Sequence, residues 1–259
     1  MLSKNEIKEI KALGQKKFRD ERRLFTVEGE KLVEEALHSG WEVVACYRVE
    51  DIGEEAMDRI SQLTHPSPAL AVVRMPDPAA APPVAGPDEL VLALDGIRDP
   101  GNLGTIIRIA DWFGIRTILA SEDTVECYNP KVVQATMGAI FRVRVHYVDL
   151  PKVLRCPVKP GMTAARNGSG FAAESPAAEG QIPVYGTFLD GDDIYATALT
   201  KGGIIVIGSE ANGISPDVDK TVTHRLFIPP YPKDTRTSES LNAAVATAIT
   251  CAEFRRRCC

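Results

Sequence analysis

The stretch LVLALDGIRDPGNLGTIIRIADWFG, Leu90–Gly114, reads as a buried strand, a glycine-rich loop and an amphipathic helix in succession. LVLALD is apolar up to its terminal aspartate, as in a strand covered on both faces. In LGTIIRIADWF the apolar residues recur at helical spacing. Strand, glycine loop and helix in this order are how α/β proteins usually hold a phosphate. Neither common phosphate signature is present, however. No glycine in the chain is followed by lysine, which excludes a Walker loop, and the glycines do not follow GxGxxG. The loop is shaped for something else.

The same alternation continues on both sides. Downstream, strands are expected at LVLALD, RTILA, RVRVHYV, PVYGTFLD, GGIIVIGS and HRLFIPP, and helices at 103–113, 130–139 and 239–256. This predicts an α/β fold with a mainly parallel sheet and helices on both faces. Upstream, KNEIKEIKALGQ, EKLVEEALHSG and EEAMDRISQL have helical spacing, while RRLFTVEG, WEVVACYRV and ALAVVRM read as strands, a small α/β unit over 1–75. Between them, 76–88 (PDPAAAPPVAGPD) holds five prolines in thirteen residues and reads as a semi-rigid linker. The expected organisation is therefore 1–75, a linker over 76–88, and 89–259. The stretch 156–181, rich in Ala, Gly and Pro, reads as a surface excursion without assigned chemistry.

Composition narrows the function classes. No apolar run reaches the ~20 residues a membrane helix needs, and MLSKNEIKEIKALGQ has no apolar signal segment. A cytoplasmic protein without membrane association is expected. Six cysteines without a CxxC, and four histidines without zinc-ligand spacing, predict no metal site. The net charge of −5 does not by itself suggest nucleic acid, but residues 1–24 carry eight Lys and Arg against four Asp and Glu, a local +4. Arg19, Arg22 and Arg23 belong to that patch. It reads either as a polyanion-binding face or as a solvated helix face.

Two further stretches carry chemistry. In GGIIVIGSEANGISPDV an apolar strand ends at Ser209-Glu210-Ala211-Asn212-Gly213, the strand end at which parallel sheets bind ligands. A structural turn explains Asn212-Gly213 equally well, but nothing local demands Glu210. In LFIPPYPKDTRTSESLNAAVATAITCAEF a strand ends at Ile228-Pro229-Pro230, and a polar loop leads into an alanine-rich helix. Ser240 and Asn242, at its start, read either as helix caps or as site residues.

Together the three stretches resemble the SpoU/TrmH-type RNA ribose 2′-O-methyltransferases of the SPOUT superfamily. The first motif is Asp95…Asp99-Pro100-x-Asn102-x-Gly104…Arg108. The second is Gly208-Ser209-Glu210-x-x-Gly213-Ile214-Ser215. The third is Ile228-Pro229, then Ser240-Leu241-Asn242…Val245. The match covers about 89–259. Residues 1–75 resemble the family's small RNA-substrate domain, with Arg19, Phe25, Glu28 and Gly29 at the expected places.

The resemblance implies a deep trefoil knot, S-adenosylmethionine as cofactor and a homodimer. It implies transfer of a methyl group to a ribose 2′-hydroxyl, in ribosomal RNA more than transfer RNA. Asn102, Arg108, Glu210, Ser240 and Asn242 would be catalytic. Gly208, Ile228, Leu241 and Thr187 would hold the cofactor, and Arg19, Arg22, Arg23 and Arg108 the RNA. A non-catalytic RNA-binding module that keeps the fold, or a base methyltransferase, are the alternatives. On local spacing alone, Asn102 is a helix cap and Arg108 a surface partner of Asp111 at i+3. Two departures stand out. Ala211 replaces a family glycine, at roughly 1 kcal/mol if its φ is positive. The loop PYPKDTRTSE lengthens the third motif and adds Lys233 and Arg236.

Overall fold

The structure, a computed structural model, describes residues 2–77, 86, 88–155, 182–232 and 240–257. The expected excursion 156–181, much of the proline-rich stretch 76–88, and Lys233 and Arg236 lie outside the described residues.

The chain opens with α1 (Lys4–Ala12), held by a capping box: Ser3 Oγ accepts from the Glu6 N–H, and Glu6 Oε2 accepts from the Ser3 N–H at 2.8 Å. α2 (Lys16–Arg22), β1 (Leu24–Glu28), α3 (Glu30–His38), β2 (Val43–Arg48), α4 (Val49–Ile52), α5 (Glu54–Ile60) and β3 (Ala69–Arg74) follow. The strands form an antiparallel sheet of order β1-β3-β2. Ile7, Ile10 and Leu13 of the first helical segment pack with Met57, Ile60, Leu70 and Val72. Glu28 is buried and accepts from Ser61 Oγ at 2.7 Å and the Gln62 N–H at 2.6 Å, so its carboxylate ties β1 to the end of α5. The α2 and α4 helices were not expected. KKFRDER has one large apolar residue, and a four-residue helix has no period to read.

The second half contains β4 (Leu90–Asp95), α6 (Pro100–Trp112), β5 (Thr117–Ala120), α7 (Pro130–Thr136), a 3₁₀ turn (Ala139–Phe141), β6 (Arg144–Tyr147), α8 (Leu150–Arg155), β7 (Val184–Asp193), β8 (Gly203–Gly208), α9 (Pro216–Asp219), β9 (His224–Phe227) and α10 (Ala243–Arg256). The six strands lie in the order β6-β5-β4-β8-β7-β9. β4 pairs in parallel with β5 and β8, and β7 in parallel with β8 and β9. The expected α/β fold with a parallel sheet is what forms. α8 and α9, too short to show a period, were not anticipated.

Packing groups the described residues into two compact units. The first joins the N-terminal elements through β3 with Arg98–Asp111 and Val125–Arg144. The second holds β4, Trp112–Thr124 and the chain from Val145 onward. The first unit therefore draws on α6 and α7 as well as on the expected N-terminal segment. Its centre is aromatic: Phe25, fully buried, meets Tyr128 at 4.8 Å and Phe141 at 6.5 Å between ring centroids. Gly104 of α6 lies so close to α7 that a Cβ there would overlap the Ala135 Cβ and come within 2.8 Å of the Val132 oxygen.

Arg19, expected as an RNA contact, occupies this packing rather than a solvated face. Only 2% of it is exposed. Its Nε donates to Glu126 Oε1 at 3.1 Å, Nη2 donates to Glu126 Oε2, and Nη1 donates to the Leu13 carbonyl at 2.8 Å. Removing one member of a buried pair strands the other charge. Arg19→Ala should lose about 3–5 kcal/mol in chemical denaturation, and Arg19→Lys should recover less than half, because an ammonium cannot reproduce the fork. An unchanged denaturation midpoint in Arg19→Ala would contradict this.

Candidate active site

In the second unit the chain runs from β4 to β5 on one side, while β8 lies on the other side of β4. Such a switch point in a parallel sheet leaves a crevice beyond the strand carboxyl ends. Asp95 and Gly208, the last residues of β4 and β8, are register partners. Asp95 Oδ2 accepts from the Ser215 N–H at 2.6 Å, tying the loop after β8 back to β4.

That loop is tight. Ser209 and Gly213 exchange backbone hydrogen bonds of 3.0 and 2.9 Å, and the Asn212 N–H donates to Ser209 Oγ at 3.2 Å. The left-handed residue is Gly213, with φ 65°, while Ala211 has no positive φ. Alanine in place of the family glycine is thus free of the anticipated strain. Gly208 is fixed by close approach instead: a Cβ there would overlap the Gly213 carbonyl carbon and the Ile214 nitrogen, both backbone atoms. Glu210 is exposed at the outer end of the turn.

The third motif borders the same unit. Ile228, just past β9, is half-buried. Ser240 is exposed, and Leu241 is 45% exposed. The expected helix over 239–256 begins only at Ala243, because Asn242 is its cap: Asn242 Oδ1 accepts from the Ala244 N–H at 3.0 Å and the Val245 N–H at 3.3 Å. Thr187 sits at an irregularity where it and Asp192 both pair with Leu226. Its Oγ1 donates to the Val206 carbonyl of β8 at 3.2 Å.

Asn102 and Arg108 lie in the first unit, on α6. The helix starts earlier than expected, at Pro100, and Asp99 is its cap: Asp99 Oδ1 accepts from the Asn102 N–H at 2.7 Å. The capping role that local spacing gave Asn102 is therefore taken by Asp99. Arg108 is exposed. Its expected i+3 partner is engaged elsewhere, since Asp111 Oδ2 accepts from Arg142 Nε at 2.9 Å and Arg142 Nη1 also donates to Glu35. Among the described residues Arg108 forms no ion pair. The Arg142 bridge was not legible beforehand, because its partners lie 31 and 107 residues away in sequence.

Of the other basic residues expected to meet RNA, Arg22 reaches Glu9 at 3.7 Å, and Arg23, at φ 56°, donates through Nη2 to the Pro76 carbonyl. Among the described residues no group of three or more His, Cys, Asp or Glu is arranged to hold a metal. No described helix is long and apolar enough to cross a membrane.

Residues 89–252 match the model of the SpoU rRNA Methylase family, and residues 4–72 match the MRM3-like substrate binding domain. A curated relative, the 23S rRNA (guanosine(2553)-2′-O)-methyltransferase RlmP of Bacillus subtilis, is 29% identical over 94% of this chain and 93% of its own. A solved TrmH-family structure from Porphyromonas gingivalis is 38% identical, with a TM-score of 0.82 over 99% of both chains. The AdoMet-bound rRNA methyltransferase from Sinorhizobium meliloti is 28% identical, with a TM-score of 0.78 over 99% of this chain and 96% of that one.

Proposed function

Because the chain belongs to the SpoU rRNA methylase family, we propose that it transfers a methyl group from S-adenosylmethionine to a ribose 2′-hydroxyl of ribosomal RNA. The observation that carries this is Arg108, exposed on the helix after the Asp95 loop while Arg142 engages Asp111. A surface pair would have explained Arg108 without function, and that pair is not made.

The residues present fit the cofactor. The backbone of Gly208 meets that of Gly213 and Ile214 at a distance no side chain permits, and half-buried Ile228 and exposed Leu241 offer apolar surface suited to an adenine ring. Gly208, Ile228 and Leu241 would hold it, with Thr187 setting the strand beside them. When bound, S-adenosylmethionine supplies a methyl group already activated by its sulfonium.

What the chain must supply is alignment and help in deprotonating a weak nucleophile. Arg108 stays protonated and so is no base. It grips the phosphate beside the target ribose with two parallel hydrogen bonds. Asn102, Glu210 and Ser240 orient the ribose, and the substrate phosphate or a carboxylate accepts the hydroxyl proton. Asn242 acts through the first turn of α10, which it caps.

Residues 1–75 form a substrate domain for RNA in this reading, 76–88 a linker, and 89–259 a methyltransferase domain closed by a trefoil knot. Arg22 and Arg23, both half-exposed, border the RNA face. The protein works in the cytoplasm as a homodimer. Light scattering at micromolar concentration should give about twice the 28.1 kDa chain mass, and an active monomer would remove the dimer. The function itself is tested by mapping 2′-O-methyl sites in ribosomal and transfer RNA from cells with and without the gene. Loss of one ribosomal site is expected. Loss confined to transfer RNA, or to base methylation, would overturn the reading.

A further inference from the structure

Within the first unit, Arg142 and Arg144 lie two residues apart and are treated oppositely. Arg142 is fully engaged by Glu35 and Asp111. Arg144 is exposed, and among the described residues its side chain forms no hydrogen bond or ion pair. It is nonetheless held in place: its guanidinium carbon lies 4.4 Å from the centre of the Trp41 ring. Trp41 is itself fixed from beneath. Phe25 meets it edge-on at 6.1 Å and Phe141 at 5.4 Å, with interplanar angles of 77° and 85°.

A guanidinium over an indole face is attracted by the ring quadrupole, and among the described residues no acceptor engages its N–H donors. Ordering a long arginine side chain normally opposes binding. Here the aromatic cluster has already restricted it. A fixed, unpaired, planar fork of donors matches a phosphodiester, to which it can make two parallel charge-assisted hydrogen bonds. Several other described arginines of this unit lack that availability: Arg19 is engaged by Glu126, Arg74 by Glu42, and Arg23 by the Pro76 carbonyl.

We propose that the Arg144–Trp41 stack is an RNA docking site that holds a phosphodiester of the ribosomal RNA strand away from the methylated nucleotide. This rests on the proposed function, because it takes ribosomal RNA as the polyanion. It adds a binding residue within the methyltransferase segment that the charge pattern of residues 1–24 did not indicate.

Arg144→Ala should weaken binding of hypomethylated ribosomal RNA about 5- to 10-fold, measured by fluorescence anisotropy, and reduce the slope of log affinity against log salt by about 1. The KM for RNA should rise by a similar factor, with kcat and S-adenosylmethionine affinity within twofold of wild type. Arg144→Gln guards against a folding artefact and should behave as alanine does. Trp41→Leu keeps an apolar side chain over Phe25 and Phe141 but removes the stack. It should weaken binding about threefold and leave the salt slope unchanged, because the charge remains. Unaltered RNA affinity and slope in both Arg144 variants, with normal thermal unfolding, would overturn the proposal. Binding reads this inference, and ribose methylation by the wild type reads the function, so the two fail separately.

Discussion

Replacing Arg108 by alanine should lower methyl transfer to ribosomal RNA by at least ~10²-fold, as loss of a charged transition-state contact commonly does. Folding and S-adenosylmethionine affinity should hardly change. The side chain is exposed and forms no ion pair among the described residues, so its removal leaves no buried charge and no cavity. Arg108→Lys should recover little, because a point charge cannot make the planar two-point contact with a phosphate. Asp111→Asn is the matched control. It removes the carboxylate charge that pairs with Arg142 without touching Arg108, and should leave turnover within a few-fold of wild type. Single-turnover methylation beside calorimetric cofactor titration reads both. Near wild-type turnover in Arg108→Ala would remove the arginine from the chemistry.

The second large effect concerns Gly208. A methyl group added there has no flexible side chain to displace. Its nearest neighbours are the backbone atoms of Gly213 and Ile214, within a turn closed by two hydrogen bonds between Ser209 and Gly213. β8 cannot retreat either, since Gly208 is in register with Asp95, whose carboxylate holds Ser215. The loop must therefore open. Gly208→Ala should reduce cofactor affinity by about 10²-fold or more, a loss near the 1–3 kcal/mol typical of overpacking and beyond, and should lower thermal stability by several degrees. Gly213→Ala, which places an L residue at φ 65° in open space, should be milder by comparison, at about 1 kcal/mol. Equal cofactor affinity in wild type and Gly208→Ala would show that this approach does not shape the pocket.

How much of this was readable depends on the range of the cause. The β4 strand, the following helix and the apolar IIVIG strand were legible because each is written in consecutive residues. So was the parallel sheet, which follows from strand–helix alternation. α6 starts a few residues before its expected position because Asp99, Pro100 and Asn102 all suit a helix start, and only the hydrogen bond from the Asn102 N–H decides among them. The charge-rich N-terminus was harder to read for a different reason. Net charge over residues 1–24 says nothing about which arginines find partners, and Glu126, which engages Arg19, lies 107 residues further on. The same limit hid Arg144, whose partner Trp41 is equally remote, and Arg142, whose engagement of Asp111 leaves Arg108 unpaired. Pair energetics across such distances are set by the fold, and sequence periodicity carries no trace of them.

The first unit is stitched from three separate lengths of chain, which matters while the protein is being made. Phe25 leaves the ribosome early, yet Tyr128 and Phe141, which bury it, follow more than a hundred residues later. At ~5–20 residues per second the nascent sheet waits on the order of ten seconds with its aromatic face uncovered. Throughout that interval Arg19 also lacks Glu126. Over that interval the N-terminal segment is exposed to chaperones and to premature association. Its maturation is timed by translation of α7 and the turn that follows, rather than by its own synthesis.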